Sequence, residues 1–211
     1  YVLNPALQDW LAASIGEGMI DEGAFLWRGS LRKKTPPAHT VQLAFNIDDT
    51  ILDYHPRWPP VAVESGVVLI DDSAVSVWAE QASLFDSKVQ SLSVETRLNR
   101  KNQIILTLDG DLQGPAADGL RVLNESPLAD MVGNAFGAWI MSGDLETDLN
   151  LKLNLSDSSV PPRVEVTTRW HEVDLTIVPG NLSVQRVNGE FDYSTELGFR
   201  ARALTAELWQ Q

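Results

Sequence analysis

Hydrophobic and polar residues alternate along most of this chain, which is the period-two pattern of strands that turn one face toward an apolar layer. The clearest stretch is LNLKLNL at 149–155, where leucine occupies every second position. A similar alternation runs through VQLAFNI at 41–47 and appears again near 164–166 and 191–193. The pattern predicts a protein that is mainly β-sheet.

Turn-forming residues separate the alternating segments. Strands are predicted near 19–33, 39–55, 60–71, 74–83, 87–98, 102–113, 140–155, 163–178, 181–193 and 196–208. The connections are short, as at Asp86-Ser87 and Arg100-Lys101-Asn102, and their residues favour tight turns. Successive strands joined by short turns predict an antiparallel meander.

A few short helices are expected at the edges of the sheet, near 5–15, 116–124 and 127–138. The last of these has apolar residues at the i, i+3 and i+4 spacing of one helical face, namely Leu128, Met131, Val132, Ala135, Phe136 and Trp139. Ser126 and Pro127 suit the N-cap and the first helical position.

Landmark residues recur at an offset of 123. Val41, Leu43, Leu52, Pro56, Val61 and Gly66 are matched by Val164, Val166, Leu175, Pro179, Val184 and Gly189. We interpret the chain as two tandem units, 1–126 and 127–211, with the second expected to stop before its last third. Such units predict one long, continuous, strongly twisted sheet whose function lies along a surface.

Composition and charge exclude several classes of function. A formal net charge of −13 disfavours binding to nucleic acid and to anionic lipid surfaces. Cysteine is absent, which excludes disulfides and cysteine-ligated metals. The sequence has neither a charged segment typical of a signal peptide nor 18 consecutive apolar residues. Because it starts and stops inside repeat units, we expect it to be an excised piece of a longer protein.

Motifs for catalysis are hard to find. The three histidines are scattered, and neither a nucleophile elbow nor a phosphate-binding glycine loop occurs. The acidic pairs Asp48-Asp49 and Asp71-Asp72 raise the hypothesis of a glycosidase. Adjacent residues of a strand face opposite sides, however, and acidic pairs at turns usually cap them. We therefore expect no enzymatic activity, no cofactor and no metal.

Three segments carry a resemblance to a known family. They are FNIDDTILDYHPRWPP at 45–60, SGVVLIDDSAVSVWAEQASLFDSKVQSLSVE at 65–95 and GDLQGPAADGLRVLNESPL at 110–128. Together they resemble the YhdP family of AsmA-like proteins of Gram-negative bacteria. The resemblance implies a very large protein, anchored in the inner membrane, whose periplasmic body of repeating units forms a long, open β-groove that carries phospholipids between the inner and outer membranes. It implies phospholipid acyl chains and neighbouring repeat units as partners, and it transfers no catalytic residue.

The alternating rows supply candidates for the groove lining. If they lie on the concave side of the sheet, the lining residues are Leu43, Phe45, Ile47, Leu149, Leu151, Leu153, Leu155, Val164, Val166, Leu175 and Ile177. The alternative is that these rows pack against helices or a second sheet, as alternating strands usually do. The protein would then be a structural or protein-interaction module with a fully buried core. The resemblance favours the groove.

The tryptophans allow a further alternative, a carbohydrate-binding platform, but they are scattered over both units. Trp10 and Trp139 are interpreted as anchors on helix faces. Trp58, in a predicted bend between Arg57 and Pro59, is a candidate for the rim of the groove. Trp78 and Trp170 are expected to be cross-strand partners.

Overall fold

The structure is a computed structural model that describes residues 5–28, 40–72, 74–133, 135–178, 180 and 182–208. Parts of three predicted strands, residues 29–33, 39 and 181, lie outside the described residues, as does Pro179 of the repeat.

The described residues form ten strands and three helices. In chain order these are α1 (Pro5–Ser14), β1 (Met19–Arg28), β2 (Thr40–Leu52), β3 (Val61–Asp71), β4 (Ala74–Leu84), β5 (Ser87–Leu98), β6 (Ile104–Pro115), α2 (Ala116–Glu125), α3 (Leu128–Met131), β7 (Trp139–Asn154), β8 (Arg163–Ile177), β9 (Leu182–Ser194) and β10 (Gly198–Leu208).

The strands form one antiparallel sheet in the order of the chain, β1 to β10, which confirms the predicted meander. Both end strands are edges, so the sheet is open. Local turn chemistry connects the strands. In the turn between β5 and β6, the Asn99 side chain accepts hydrogen bonds from the backbone N–H groups of Lys101 (2.8 Å) and Gln103 (3.0 Å), and Asn102 has a φ of 59°, as asparagine tolerates.

The two faces of the sheet differ in chemistry, as alternation requires. One row of directly paired residues crosses all ten strands: Ile20, Ile47, Gly66, Ala79, Leu92, Gly110, Leu149, Val166, Tyr193 and Phe199. The adjacent row on the opposite face runs Asp21, Asn46, Val67, Trp78, Ser93, Asp109, Asn150, Glu165, Ser194 and Gly198. We name the first of these the inner face and the second the outer face.

The inner face is closed over β2–β6, the end of β7 and the start of β8, and we name this the closed region. Side chains with almost no exposed surface occur there on successive strands, including Val63, Val68, Val77, Val94, Leu106, Leu151 and Val164. They belong to a single hydrophobic cluster. Helix α2 packs mainly on β7 and α3. Residues outside the strands, among them Tyr54, Trp58 and Leu128, complete the cluster that closes this face.

The offset of 123 is present in the hydrogen-bonded register as well as in the sequence. Ile47 pairs with Gly66 between β2 and β3, and Trp170 pairs with Gly189 between β8 and β9. Asp49 of β2 and its counterpart Glu172 of β8 both have a φ of 50°. The equivalent hairpins therefore share their pairing and a local irregularity. The division into units 1–126 and 127–211 stays a prediction.

Two elements are shorter than the sequence predicts. The helix expected over 127–138 ends at Met131, because Gly133 has a φ of 62° and breaks the helical path. Trp139 consequently begins β7 and is no helix anchor. The strand expected to reach residue 55 ends at Leu52. The Pro-rich segment that follows turns sharply, and the Trp58 backbone N–H donates to the His55 carbonyl (2.9 Å).

Candidate functional site

An apolar cavity of about 420 Å³ lies between the segment that contains α2 and α3 and the inner face of the last four strands. We name the open region the inner faces of β9 and β10, the first half of β7 and the rest of β8, together with α2 and α3. The cavity wall includes Trp58, Leu84, Ser87, Leu112, Asp118, Leu120, Leu123, Leu128, Phe136, Trp139, Met141, Leu145, Thr147, Leu149, Val166, Thr168, Trp170, Phe191, Asp192, Tyr193, Phe199, Arg200 and Ala201. Its volume falls within the range of about 300–1,000 Å³ that is usual for small-molecule sites.

Aromatic rings form much of the wall. Alternate positions of β9 and β10 place Phe191, Tyr193 and Phe199 on the inner face, where the Tyr193 and Phe199 ring centroids are 4.7 Å apart. Phe136 contacts Phe199 from the opposite side at 5.3 Å. Trp170 of β8 lies 4.2 Å from Phe191. These rings present a broad apolar surface with little rotational freedom.

The walls are brought together by small residues and by a bulge. The register of β7 against β8 shifts between Ser142 and Asp144, where Gly143 adopts a φ of 102°. A Cβ at Gly143 would lie only 2.9 Å from the Glu172 carbonyl oxygen, so glycine permits this bulge. On α2, a Cβ at Gly119 would lie 3.0 Å from the Leu145 side chain, which shows how closely this helix approaches β7.

The cavity is open on one side and lined by core residues on the other. Phe199 is 51% exposed, and Ala201, also on the edge strand β10, is exposed. Trp58 and Leu128 belong to the closed cluster, with 4% and 2% exposure. The cavity thus borders both solvent and the closed region.

Few polar groups line the cavity, and most of them have partners. The buried Asp118 carboxylate accepts hydrogen bonds from the Ser87 hydroxyl (2.8 Å) and the Asp86 backbone N–H (2.9 Å). The Trp170 indole N–H donates to the Thr168 hydroxyl at 2.9 Å. Partial burial raises the pKa of the Tyr193 phenol, which keeps it neutral at physiological pH. The cavity is therefore suited to an apolar ligand.

The structure distributes the predicted lining residues over several environments. Leu149 and Val166 line the cavity. Ile47, Leu151, Leu153 and Val164 are buried in the closed cluster, and Leu43, Phe45 and Leu155 are half-buried against it. Leu175 packs against the second cluster, which joins α2 to β7, β8 and β9, and Ile177 is half-buried at the end of β8. Two of the eleven residues therefore meet at the cavity.

Sequence reasoning missed the aromatic members of the cavity. The signal was available in the repeat, because positions held by Ile47, Val68 and Ile70 in the first hairpin hold Trp170, Phe191 and Tyr193 in the second. Trp58, which was expected near a rim, is buried in the wall.

The outer face has a separate, polar depression of about 1060 Å³. Its carboxylates are paired across strands: Asp109 accepts from Asn150 (2.5 Å), Asp111 from Ser91 (2.5 Å), and Asp148 from Arg169 (2.9 Å). Asp72, from an acidic pair noted in the sequence, accepts from the Val41 N–H (2.8 Å). These contacts are those of a solvated, cross-linked sheet surface.

Over the ranges that the structure covers, no group of three or more His, Asp or Glu side chains is placed to hold a metal ion. In the same residues, no helix has the length and apolar character needed to cross a membrane.

Comparison with known proteins gave one match. The family model described as YhdP protein matches residues 1–211. No curated protein and no solved structure matches the chain.

Proposed function

This chain belongs to the YhdP protein family, and on that premise we propose that it is a non-enzymatic segment of a periplasmic lipid transporter. Family membership is consistent with a role in lipid transport. In this proposal the parent protein is anchored in the inner membrane and reaches toward the outer membrane. The segment supplies an apolar surface that shelters the acyl chains of phospholipids on their way.

The observation that carries the proposal is the aromatic cavity of the open region. Hydrocarbon chains partition into dry, apolar sites with about 0.8 kcal/mol per buried CH₂ group. The wall offers such a site, because aromatic and aliphatic side chains dominate it and its polar groups are mostly paired within the protein. Exposed Phe199 and Ala201 leave a side through which a chain can enter.

The exposed inner face of β1 supports a neighbouring repeat unit as a partner. Strand β1 is the equivalent of β7 in the repeat. Ile20 of β1 pairs with Ile47, and Leu145 of β7 pairs with its counterpart Trp170. Likewise, Phe25 of β1 pairs with Leu43, and Leu149 of β7 pairs with its counterpart Val166. Ile20 and Phe25 are 70% and 67% exposed, whereas Leu145 is buried beneath α2. We propose that a neighbouring unit covers the inner face of β1. It would do so in the same way that α2 and the first unit cover the inner face of β7.

Uptake of a fluorescent acyl probe tests the proposal. The chain should bind the probe, and Ala201→Trp, which fills the cavity from its open side, should abolish most of the binding. Ala24→Trp is the matched control, because Ala24 is an exposed alanine on the opposite edge strand. Native mass spectrometry of the purified chain should detect copurified phospholipid in the parent and the control. Equal probe binding by both variants would contradict the proposal.

The closed region favours a second candidate, a structural or protein-interaction module. Leu151 and Val164, two predicted lining residues, have no exposed surface, as a covered core would require. If that candidate holds for the entire chain, neither probe nor phospholipid will bind and the Ala201→Trp substitution will change nothing.

A further inference from the structure

Arg200 lies where the apolar cavity meets the polar depression of the outer face. Among the described residues it is the one cation on the cavity wall, and it also lines the depression. Its neighbours Phe199 and Ala201 line the cavity from the same strand, β10. Because β10 is an edge of the described sheet, no further described strand separates the two faces there. The long arginine side chain therefore lies at the rim of both.

Arg200 differs from the two other arginines that line the depression. Arg163 forms an ion pair with Glu165 (2.9 Å), and Arg202 forms one with Asp192. Within the part of the chain that the structure describes, the Arg200 guanidinium makes neither a hydrogen bond nor an ion pair, and the residue is exposed. The arginine that reaches the cavity is thus the one whose side-chain N–H groups are not used by the protein.

The two carboxylates of the cavity wall already have partners. Asp118 is buried and bonded within the protein, as described above. Asp192 lies opposite Arg200 in the register of β9 and β10, and its carboxylate accepts hydrogen bonds from the Thr167 hydroxyl (2.9 Å) and from Arg202. Its pKa is lowered mainly by that hydroxyl and less by the two arginines, so it stays ionised. Asp192 therefore attracts Arg200 without forming a hydrogen bond to it.

We infer that Arg200 binds the phosphate of a lipid headgroup while the acyl chain occupies the cavity. This inference rests on the proposed function and names the class of ligand, an amphiphile with an anionic phosphate. The planar guanidinium matches phosphate geometry and can donate two parallel hydrogen bonds to it. A rim position suits an amphiphile, because its chain needs the dry wall and its headgroup needs water. Arg200 is thus a specificity-determining residue, and the headgroup lies toward the outer depression.

Competition between ligands with the same dodecyl chain tests the inference. Dodecyl phosphate, dodecan-1-ol and dodecyltrimethylammonium each displace a neutral fluorescent acyl probe, below the concentrations at which they form micelles. Arg200→Gln should weaken the binding of dodecyl phosphate by roughly three- to tenfold, the effect of one partly exposed charge-assisted contact. The same substitution should leave the affinity for dodecan-1-ol unchanged. Because the side chain is exposed, the variant should fold, and added salt should reduce the difference.

Arg97→Gln is the matched control for the change in net charge. Arg97 is an exposed arginine of β5 that pairs with Glu95 (2.9 Å) and lines neither the cavity nor the depression. Its substitution should leave all three affinities unchanged. Arg200→Lys keeps the positive charge and loses the planar fork, so it should retain part of the affinity for dodecyl phosphate. Unchanged binding of dodecyl phosphate by Arg200→Gln, or an equal loss in Arg97→Gln, would overturn the inference.

The other ligands separate this inference from the proposed function. If the parent binds none of them, the function of the cavity is refuted; if Arg200→Gln binds all three as the parent does, only the role of Arg200 is refuted. Tighter binding of dodecyltrimethylammonium than of dodecyl phosphate by the parent would show that acidic groups dominate the rim and would overturn the inference. Inorganic phosphate should not compete with dodecyl phosphate, because it lacks the chain. Competition at equal concentration would assign Arg200 to free phosphate and overturn the assignment of a lipid headgroup.

Discussion

The first and second hairpins of the repeat have the same register and different surroundings. Val68 in β3 has no exposed surface, whereas its counterpart Phe191 in β9 is half-buried and lines the cavity. Ile70 and Tyr193 differ in the same way. The backbone pattern is thus common to both regions, and what packs over the inner face decides whether a row becomes core or ligand site.

The side chains have changed accordingly. The strands of the closed region use mainly valine, leucine and isoleucine, which pack closely in one buried cluster. The open region places Trp170, Phe191 and Tyr193 at the equivalent positions, and rigid rings keep a wall in place without a complete covering layer. Repetition of a scaffold therefore allows divergence of the surface that it presents.

The largest expected effect comes from a charge placed in each region. Leu151→Asp should destabilise the chain by more than about 4 kcal/mol and prevent folding, because Leu151 is fully buried and the carboxylate would have no partner. Phe199→Asp should leave the fold intact, since the half-exposed position lets the charge reach water. Urea unfolding measures the stability of both variants. A folded Leu151→Asp variant would show that the closed region is open in solution.

Truncation of core and cavity residues should separate stability from binding. Leu106→Ala should cost about 2–5 kcal/mol, as large-to-small changes in a tight core do, and should leave the affinity for an acyl probe unchanged in the folded fraction. Phe191→Ala should cost less stability, because its ring is already half-buried, and should weaken probe binding. Thermal unfolding measures the stability of the two variants, and probe titration measures their affinity for the acyl probe. Weaker probe binding by Leu106→Ala, together with a greater loss of stability in Phe191→Ala, would contradict the distinction between the two regions.

The paired glycines of the two hairpins offer a finer test. A Cβ at Gly66 would lie 2.8 Å from the Trp78 carbonyl oxygen, and one at Gly189 would lie 3.1 Å from the Arg202 carbonyl oxygen. Substitution of either glycine by alanine should lower the free energy of unfolding by about 1–3 kcal/mol, because the backbone must shift or adopt an unfavourable conformation. We expect the larger loss at Gly66, because the closed region cannot relax around it. Equal or inverted losses, measured by urea unfolding, would indicate that the open region is just as rigid.

The smallest effect concerns pH at the loop between β2 and β3. Burial, with a smaller contribution from Arg57, lowers the pKa of His55 from its ordinary value near 6.5. The unfolded chain therefore binds the proton more readily, so this contribution to stability is present above pH 6.5 and is lost as pH falls below it. His55→Gln should flatten the slope of stability against pH between about 5 and 7. An unchanged slope in that variant would assign the pH dependence to other groups.

Much of the architecture could be predicted from the sequence. Alternation of apolar residues predicted the strands, turn residues predicted the meander, and the offset of 123 anticipated the shared register of Ile47–Gly66 and Trp170–Gly189. The helix at 127–138 was predicted too long, because its apolar spacing continues past Gly133, whose φ of 62° ends the helical path.

The cavity was harder to predict. Alternation shows which residues share a face, but it does not show whether the sheet curls over that face. Leu149 and Leu151 are therefore indistinguishable in the sequence, although Leu149 lines the cavity and Leu151 is fully buried. Trp58 lies far from β7–β10 in the sequence, and only the fold of the intervening strands brings it to the cavity wall.

The most direct test of the account is to map where an acyl chain binds. A fatty-acyl probe with a photoactivatable diazirine in its chain would be bound to the intact protein, irradiated, and its adducts located by peptide mass spectrometry. We expect adducts on cavity residues of β7–β10 and α2–α3, such as Leu149, Phe191 and Phe199. We expect none on Val68, Val77 and Val94, which are buried in β3–β5 and do not line the cavity. Adducts concentrated on these buried residues or on the outer face, or no adducts at all, would contradict the account.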